Sequence, residues 1–437
     1  MRRFRLGTTL LSAGLFLVCG AATTLAAAQR YCPPGGILST ADNASMSIGS
    51  GAVYCLHLGA GDGFTQMADG SPAYIFGFQD EVAKGFPLDT LVPDSTLGAQ
   101  FPAPTLRLKE GNTYFINLTN VGLQNRPDLF DPHTIHFHGF PNQITLYDGE
   151  PMGSFGTNMG ATFTYFYQPH DPGTYMFHCH QEAAEHMQMG MLGAAFIDPI
   201  QNDNAAMLAL GSARGGGAPA YQGFAYNDND ATTGYDVQMP LQLAAFDPYF
   251  HWNDMCYQPP RFAFMDDLYP MFNGRGYPDT VNTDDNTAHN INVGLGHTCD
   301  VPISPTEGKT FWDGEPPYQG SRPMNSLVTV AANRKALLRI YSLSTTSFHT
   351  IESLGIPMRV VGRDARIFRG GGGVPSGLPR EYLANSVTLG GGESIDVILD
   401  TTGIQPGTYF MFARELDHLN NNQEGRGGMM TEIRVTP

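Results

Sequence analysis

Residues 172–191 read PGTYMFHCHQEAAEHMQMGM. A Pro-Gly turn opens a short run of strand-forming residues. The run ends on a cysteine held between two histidines, and a third histidine and three methionines follow within twelve residues. Part of the stretch returns near the end of the chain, where PGTYFMFARE (406–415) answers PGTYMFHCH, and HTIHFHG (133–139) is answered in the same way by HTIESLG (349–355). Such paired segments mark two copies of one structural unit, with the histidines and the cysteine concentrated in the first copy and largely erased from the second.

Outward from these repeats, strand-like runs such as GNTYFINLTN, ATFTYFYQ, KALLRIYSL and NSVTLGGGESIDVILD are separated by Gly, Pro, Asn and Asp turns. Long helical periodicity is nearly absent, so the expected class is all-β, as two tandem Greek-key β-sandwiches. A basic start, an apolar run and small residues before Ala28 read as a signal peptide over 1–28. The first sandwich with an N-terminal extension is expected over 29–200, a Gly/Ala-rich linker or loop over 201–236, and the second, ligand-depleted sandwich over 237–437. Export to a periplasmic or secreted location follows, with no transmembrane segment in the mature chain. A formal charge of -17, from 24 basic and 41 acidic residues, speaks against nucleic acid and anionic membranes as partners.

Beyond the leader stand Cys32, Cys55, Cys179, Cys256 and Cys299. In an oxidising compartment Cys32 with Cys55, and Cys256 with Cys299, can each close a loop, although sequence leaves the pairing open. Cys179 is the odd one, and a metal ligand is the simplest reason for it. One thiolate, two imidazoles and a weak axial thioether describe a blue-copper electron-transfer site, and His133, Cys179, His186 and Met191 supply that set. Residues two apart on a strand share a face. His136 with His138, and His178 with His180, therefore form a second set of imidazoles, with Cys179 turned to the opposite side. His251, His289 and His297 lie in loop-like stretches and are not expected to be ligands.

On HTIHFHG, HCH and HMQMGM, with MFNGRGYPD (271–279) and MRVVGRD (358–364) as framework, the chain resembles the two-domain multicopper oxidases over essentially its mature length. It also resembles their relatives, the copper nitrite reductases. The resemblance implies cupredoxin-like domains, with a type 1 copper at His133, Cys179, His186 and Met191. It further implies that His136, His138, His178 and His180 form half of a catalytic copper centre of type 2 or partial type 2/3 character. Electrons from a small-molecule or redox-protein donor would enter at a surface edge of His186 and pass to dioxygen, with nitrite as the alternative acceptor and a non-enzymatic electron carrier as a third reading. In that family a neighbouring subunit, usually in a homotrimer, completes the inner centre. Two features depart from the pattern. Six residues separate Cys179 from His186, a longer interval than the common motif has. The second copy places Glu352 and Leu354 where histidines are expected, so a complete trinuclear histidine cluster is not supported. His349, His418 and Glu352 are then the second-copy residues expected to ligate or serve the inner centre, Glu352 also as a proton donor.

Overall fold

The strand Gly173–His178 is buried along its whole length, and its period of two divides its side chains between two cores. Tyr175 and Phe177, followed by Cys179, join Leu56, Phe78, Ile116 and Ile135 in the apolar core of the first sandwich. Met176 points the other way, into a cluster that combines Phe101, Leu192 and Phe196 with Phe246, Tyr341 and Leu343 from the second half. One strand is therefore both a wall of the first sandwich and part of the joint between the halves. This computed structural model describes residues 30–45, 49–85, 97–141, 143–215, 217–283, 289–291, 318–320, 324–370, 377–422 and 424–437. The expected signal peptide, Cys299 and His297 lie outside the described residues.

In the first half one sheet runs in the order Leu106–Lys109, Leu192–Asp198, Gly173–His178, His136–His138. It packs against a sheet centred on Val53–Gln66 and Thr113–Gly122. The second half repeats this order as Val328–Ala331, Met430–Thr436, Gly407–Ala413, His349–Leu354, with Ser386–Leu389 added at the edge. In both copies the first pair is parallel and the next two are antiparallel. The register agrees as well, since His136 stands opposite His178 and Glu352 opposite Phe412. The second core, built from Leu241, Leu338, Ile351, Val360, Val397 and Ile433 among others, is separate from the first. The all-β expectation of two cupredoxin-like sandwiches is what the chain adopts. Among the described residues α-helix is confined to Ala183–Gln188, Ala205–Ala209 and Pro248–Met255, and no helix is long and apolar enough to cross a membrane.

Cys32 and Cys55 form a disulfide. Cys256 is also disulfide-bonded, whereas Cys179 is free and buried.

The joint has a polar centre. Arg339 and Asp396 are buried there, 3.8 Å apart, and Arg339 also lies 3.7 Å from Asp198. The Thr174 hydroxyl donates to Asp396 at 2.6 Å and accepts from the Arg339 guanidinium at 3.2 Å, while the Tyr226 hydroxyl donates to the second carboxylate oxygen. Burial pushes the Asp396 carboxyl up and Arg339 pulls it back down. Such a network is worth little against an apolar replacement, but removing one partner leaves the other charge buried and unpaired. Asp396→Ala is expected to cost about 3–5 kcal/mol, read as a lower urea midpoint; an unchanged midpoint would show that the cluster does not hold the halves together.

Candidate metal centre

Three backbone constraints shape the outer pocket. His133 exchanges both main-chain hydrogen bonds with Thr157, at 3.0 and 2.8 Å, and the buried Asn120 amide ties Thr157 to Asp131 through their carbonyls. The Cys179 N–H donates to the Met191 carbonyl at 3.1 Å, and the Met191 N–H donates to the His186 carbonyl at 2.8 Å. The loop thus closes on itself around its three donor side chains. The long Cys179-to-His186 interval is taken up by the helical turn Ala183–Gln188, entered through Glu182 in a left-handed conformation with φ 46°.

Cys179 Sγ lies 3.2 Å from His186 Nδ1 and 4.0 Å from His133 Nδ1, and it accepts the Thr134 N–H at 3.4 Å. His133, Cys179, His186 and Met191 are all fully buried. The expectation that His186 presents an edge to solvent is therefore corrected. Phe76 covers the ring edge-on at 5.6 Å, and Asp131, a residue that sequence reasoning missed, stands 3.7 Å from its Nε2. Burial, then His186, holds His133 well below the ordinary histidine range. For His186 burial acts against the charged form, but Cys179 and Asp131 outweigh it and push it up to about 10. The donor set fits copper: the Cys179 sulfur and the Nδ1 atoms of two imidazoles converge in a sealed pocket with the buried Met191 on the same loop.

On the opposite face, ring nitrogens of His136, His138 and His178 lie within 4.8 Å of one another, the closest being His138 Nδ1 and His178 Nε2 at 3.3 Å. His180 leaves the strand with Cys179, yet its ring stays 4.8 Å from that of His136 and stacks on His178 at 5.5 Å. A carbonyl only accepts, so the nitrogen bonded to it carries the proton. His136 Nδ1 donates to the Asp148 carbonyl at 2.8 Å and His178 Nδ1 to the Cys179 carbonyl at 2.9 Å, leaving each Nε2 lone pair to face the cluster. Burial lowers His136, His138 and His178, the last to about 3, so these imidazoles are neutral, as ligation requires.

Asp148 is the second residue beside the clusters that the sequence concealed. Its carboxylate lies 3.6 Å from His136 Nδ1, and burial raises it against the opposing effect of His136. It is delivered by a turn at Gly149, φ +72°, where an added Cβ would fall 2.0 Å from the Ile135 carbonyl oxygen. Only glycine lets the turn dock flush on the strand. From the second half Gly392, φ +87°, approaches so closely that a Cβ there would lie 2.7 Å from His138 Nε2. Neither approach can be read from a motif.

Among the described residues, none of the second-copy residues expected at the inner centre joins the cluster of its own chain. Glu352 is half-buried on its own strand and pairs with Arg414 at 3.4 Å. His349 is fully buried and lies 3.2 Å from His418; sealed inside its own sandwich, it cannot reach the cluster of a neighbouring subunit. His251 sits on the helix Pro248–Met255 rather than in a loop, where it donates to the Tyr74 carbonyl and packs on Phe246 as a core residue. His289 lies in a strand, with its side chain outside the described residues.

Residues 91–202, which contain His133, Cys179, His186, Met191 and all four inner histidines, match the family described as multicopper oxidase. Over 123 residues the chain is 33% identical to the multicopper oxidase MCE of Talaromyces pinophilus, covering 28% of this chain and 19% of that protein. Over 105 residues it is 29% identical to the copper-containing nitrite reductase of Neisseria meningitidis, covering 24% of this chain and 25% of that protein. The matched stretch thus spans a quarter or less of these curated relatives. Among solved structures, the blue copper oxidase from Nitrosomonas europaea shares the fold, with a TM-score of 0.56 at 19% identity over 87% of this chain and 85% of that one. Two histidine-bearing clusters back to back across one strand thus lie in the segment that matches the multicopper oxidase family, and that segment is similar to laccases and copper nitrite reductases.

Proposed function

We propose that this protein is an exported, copper-dependent oxidoreductase that accepts single electrons at the outer pocket and delivers them to dioxygen at the inner cluster, as a laccase does. The observation that carries this reading is the placement of His178, Cys179 and His180. The sulfur lies in the outer pocket, the flanking imidazoles lie on the other face, and His178 is hydrogen-bonded to the Cys179 carbonyl. Copper bound at the two clusters supplies the one-electron chemistry and the binding and reduction of the oxidant. His133, Cys179, His186 and Met191 hold the outer ion; His136, His138, His178 and His180 hold the inner centre. The peptide links between Cys179 and its neighbours are the covalent route between them.

Reduction of dioxygen to water consumes a proton with each electron. Asp148, beside His136 and flanked by Glu150, is the carboxyl that holds such a proton at the inner cluster of this chain. Gly392 leaves His138 room on the side facing the second half. A partner subunit fits the remaining side: Met152 and Phe155 are exposed near the Asp148 turn, and Leu354 and Leu383 are exposed on the second half, a distribution suited to head-to-tail closure into a homotrimer that brings Glu352 near the cluster. The electron donor is a small molecule or a redox protein. The three closely grouped histidines with a carboxyl beside them also favour a mononuclear type 2 centre and nitrite as acceptor.

Copper analysis with visible and paramagnetic resonance spectra separates these readings. A blue thiolate-copper signal accompanied by a second copper signal is expected, and Cys179→Ser is expected to abolish the blue signal and the turnover together. One blue copper alone would leave only an electron carrier, and the rates of dioxygen and nitrite consumption decide between the acceptors.

Asp148→Asn is expected to lower turnover by about 10²-fold or more with the blue signal intact. Full turnover would remove Asp148 from the proton path. Sedimentation of the copper-loaded protein is expected to give a three-chain species, and a monomer with full activity would exclude an inner centre shared between subunits.

A further inference from the structure

The second sandwich keeps the backbone of the outer copper pocket and most of its side chains. In the first copy Cys179 donates to the Met191 carbonyl and Met191 to the His186 carbonyl. In the second, the Ala413 N–H donates to the Met429 carbonyl at 2.9 Å and the Met429 N–H to the His418 carbonyl at 2.9 Å. Ala413 therefore occupies the place of Cys179, Met429 that of Met191 and His418 that of His186, while His349 opens HTIESLG as His133 opens HTIHFHG. The rings of His349 and His418 lie 4.9 Å apart, against 5.0 Å for His133 and His186, with their Nδ1 atoms 3.2 Å from each other. His349, Ala413 and Met429 are fully buried and His418 nearly so.

The lost sulfur has an electrostatic replacement. In the first copy the Thr134 N–H points at Cys179 Sγ. Its counterpart on Thr350 donates to both Glu415 carboxylate oxygens, each at 3.1 Å, and Glu415 lies 3.9 Å from His418 Nδ1. One carboxylate thus remains at the rim of the pocket.

We propose that this pocket binds one copper(I) ion through His349, His418 and Met429, with Glu415 as the counter-charge. Two imidazoles facing each other in an apolar core are a poor way to fill space, because one ring nitrogen, His349 Nε2, has no hydrogen-bond partner among the described residues. The facing Nδ1 atoms, 3.2 Å apart, are the pair that a cation between the rings takes, as the Nδ1 atoms of His133 and His186 face Cys179 Sγ in the first copy. Thioether and imidazole donors without a thiolate select a soft ion. The Born cost of burial grows with the square of the charge, so a single rim carboxylate matches a monovalent ion better than a divalent one. The site stands independently of the reaction proposed above.

Full-length protein stripped of metal is titrated anaerobically with copper(I) presented as its bicinchoninate complex, whose colour reports how much ion the protein withdraws. A His349→Phe, Met429→Leu double variant is expected to withdraw one equivalent less than the unaltered chain, while the Cys179 site still turns blue on loading with copper(II). Equal withdrawal by the two proteins overturns the proposal. An Ala413→Cys variant covers the case in which the double variant does not fold: restoring the sulfur is expected to raise the blue thiolate-copper absorption per chain about twofold. An unchanged absorption in folded Ala413→Cys protein also overturns the assignment, because the pocket would then not have the shape of a metal site.

Discussion

A strand with both faces buried has no side to give to solvent, and the rest of this molecule is arranged around one such strand, Gly173–His178. Its period of two sends Tyr175 and Phe177 into the first core and Thr174, Met176 and His178 toward the second half. The cysteine that follows inherits the inward direction, so its sulfur falls between His133 and His186 while the imidazoles on either side of it fall on the other face. Shifting the register by one residue would exchange the faces and disassemble both clusters at once. The hydrogen bonds that set this register, from His136–His138 on one side and Leu192–Asp198 on the other, therefore matter to the chemistry as much as any ligand does.

The same strand makes the two halves a single mechanical unit. Thr174 reaches Asp396 and Arg339, and Gly392 comes up under His138. These contacts place the second half against the inner cluster without supplying a histidine to it. The second half thus bounds the site on the side of His138 and packs against the strand that carries it.

The two copies show how far a backbone outlasts its side chains. Strand order, the parallel pair at one edge, the opposition of His136 to His178 and of Glu352 to Phe412, and the Met-to-His carbonyl bond all recur. The inner face of the second copy has changed from histidines to Glu352, Leu354, Phe412 and Arg414. Its interior has kept His349, His418 and Met429 and lost only the sulfur. A buried imidazole pair is costly to remove singly, because the ring left behind stays desolvated and unpaired.

The sequence by itself determined the all-β class, the internal repeat and which histidines share a face, because each of these follows from local turn chemistry and a strand's period of two. HTIHFHG and HCH carry that geometry wherever they are placed. Tertiary structure decided what depends on segments distant in the chain. It buried His186 behind Phe76 and Asp131, brought Asp148 to His136 through a glycine turn, and sealed His349 against His418 instead of presenting it to the inner cluster. No spacing rule encodes these outcomes. Each arises from the closing of one sheet over another, where burial, and not the order of residues, sets which polar groups meet.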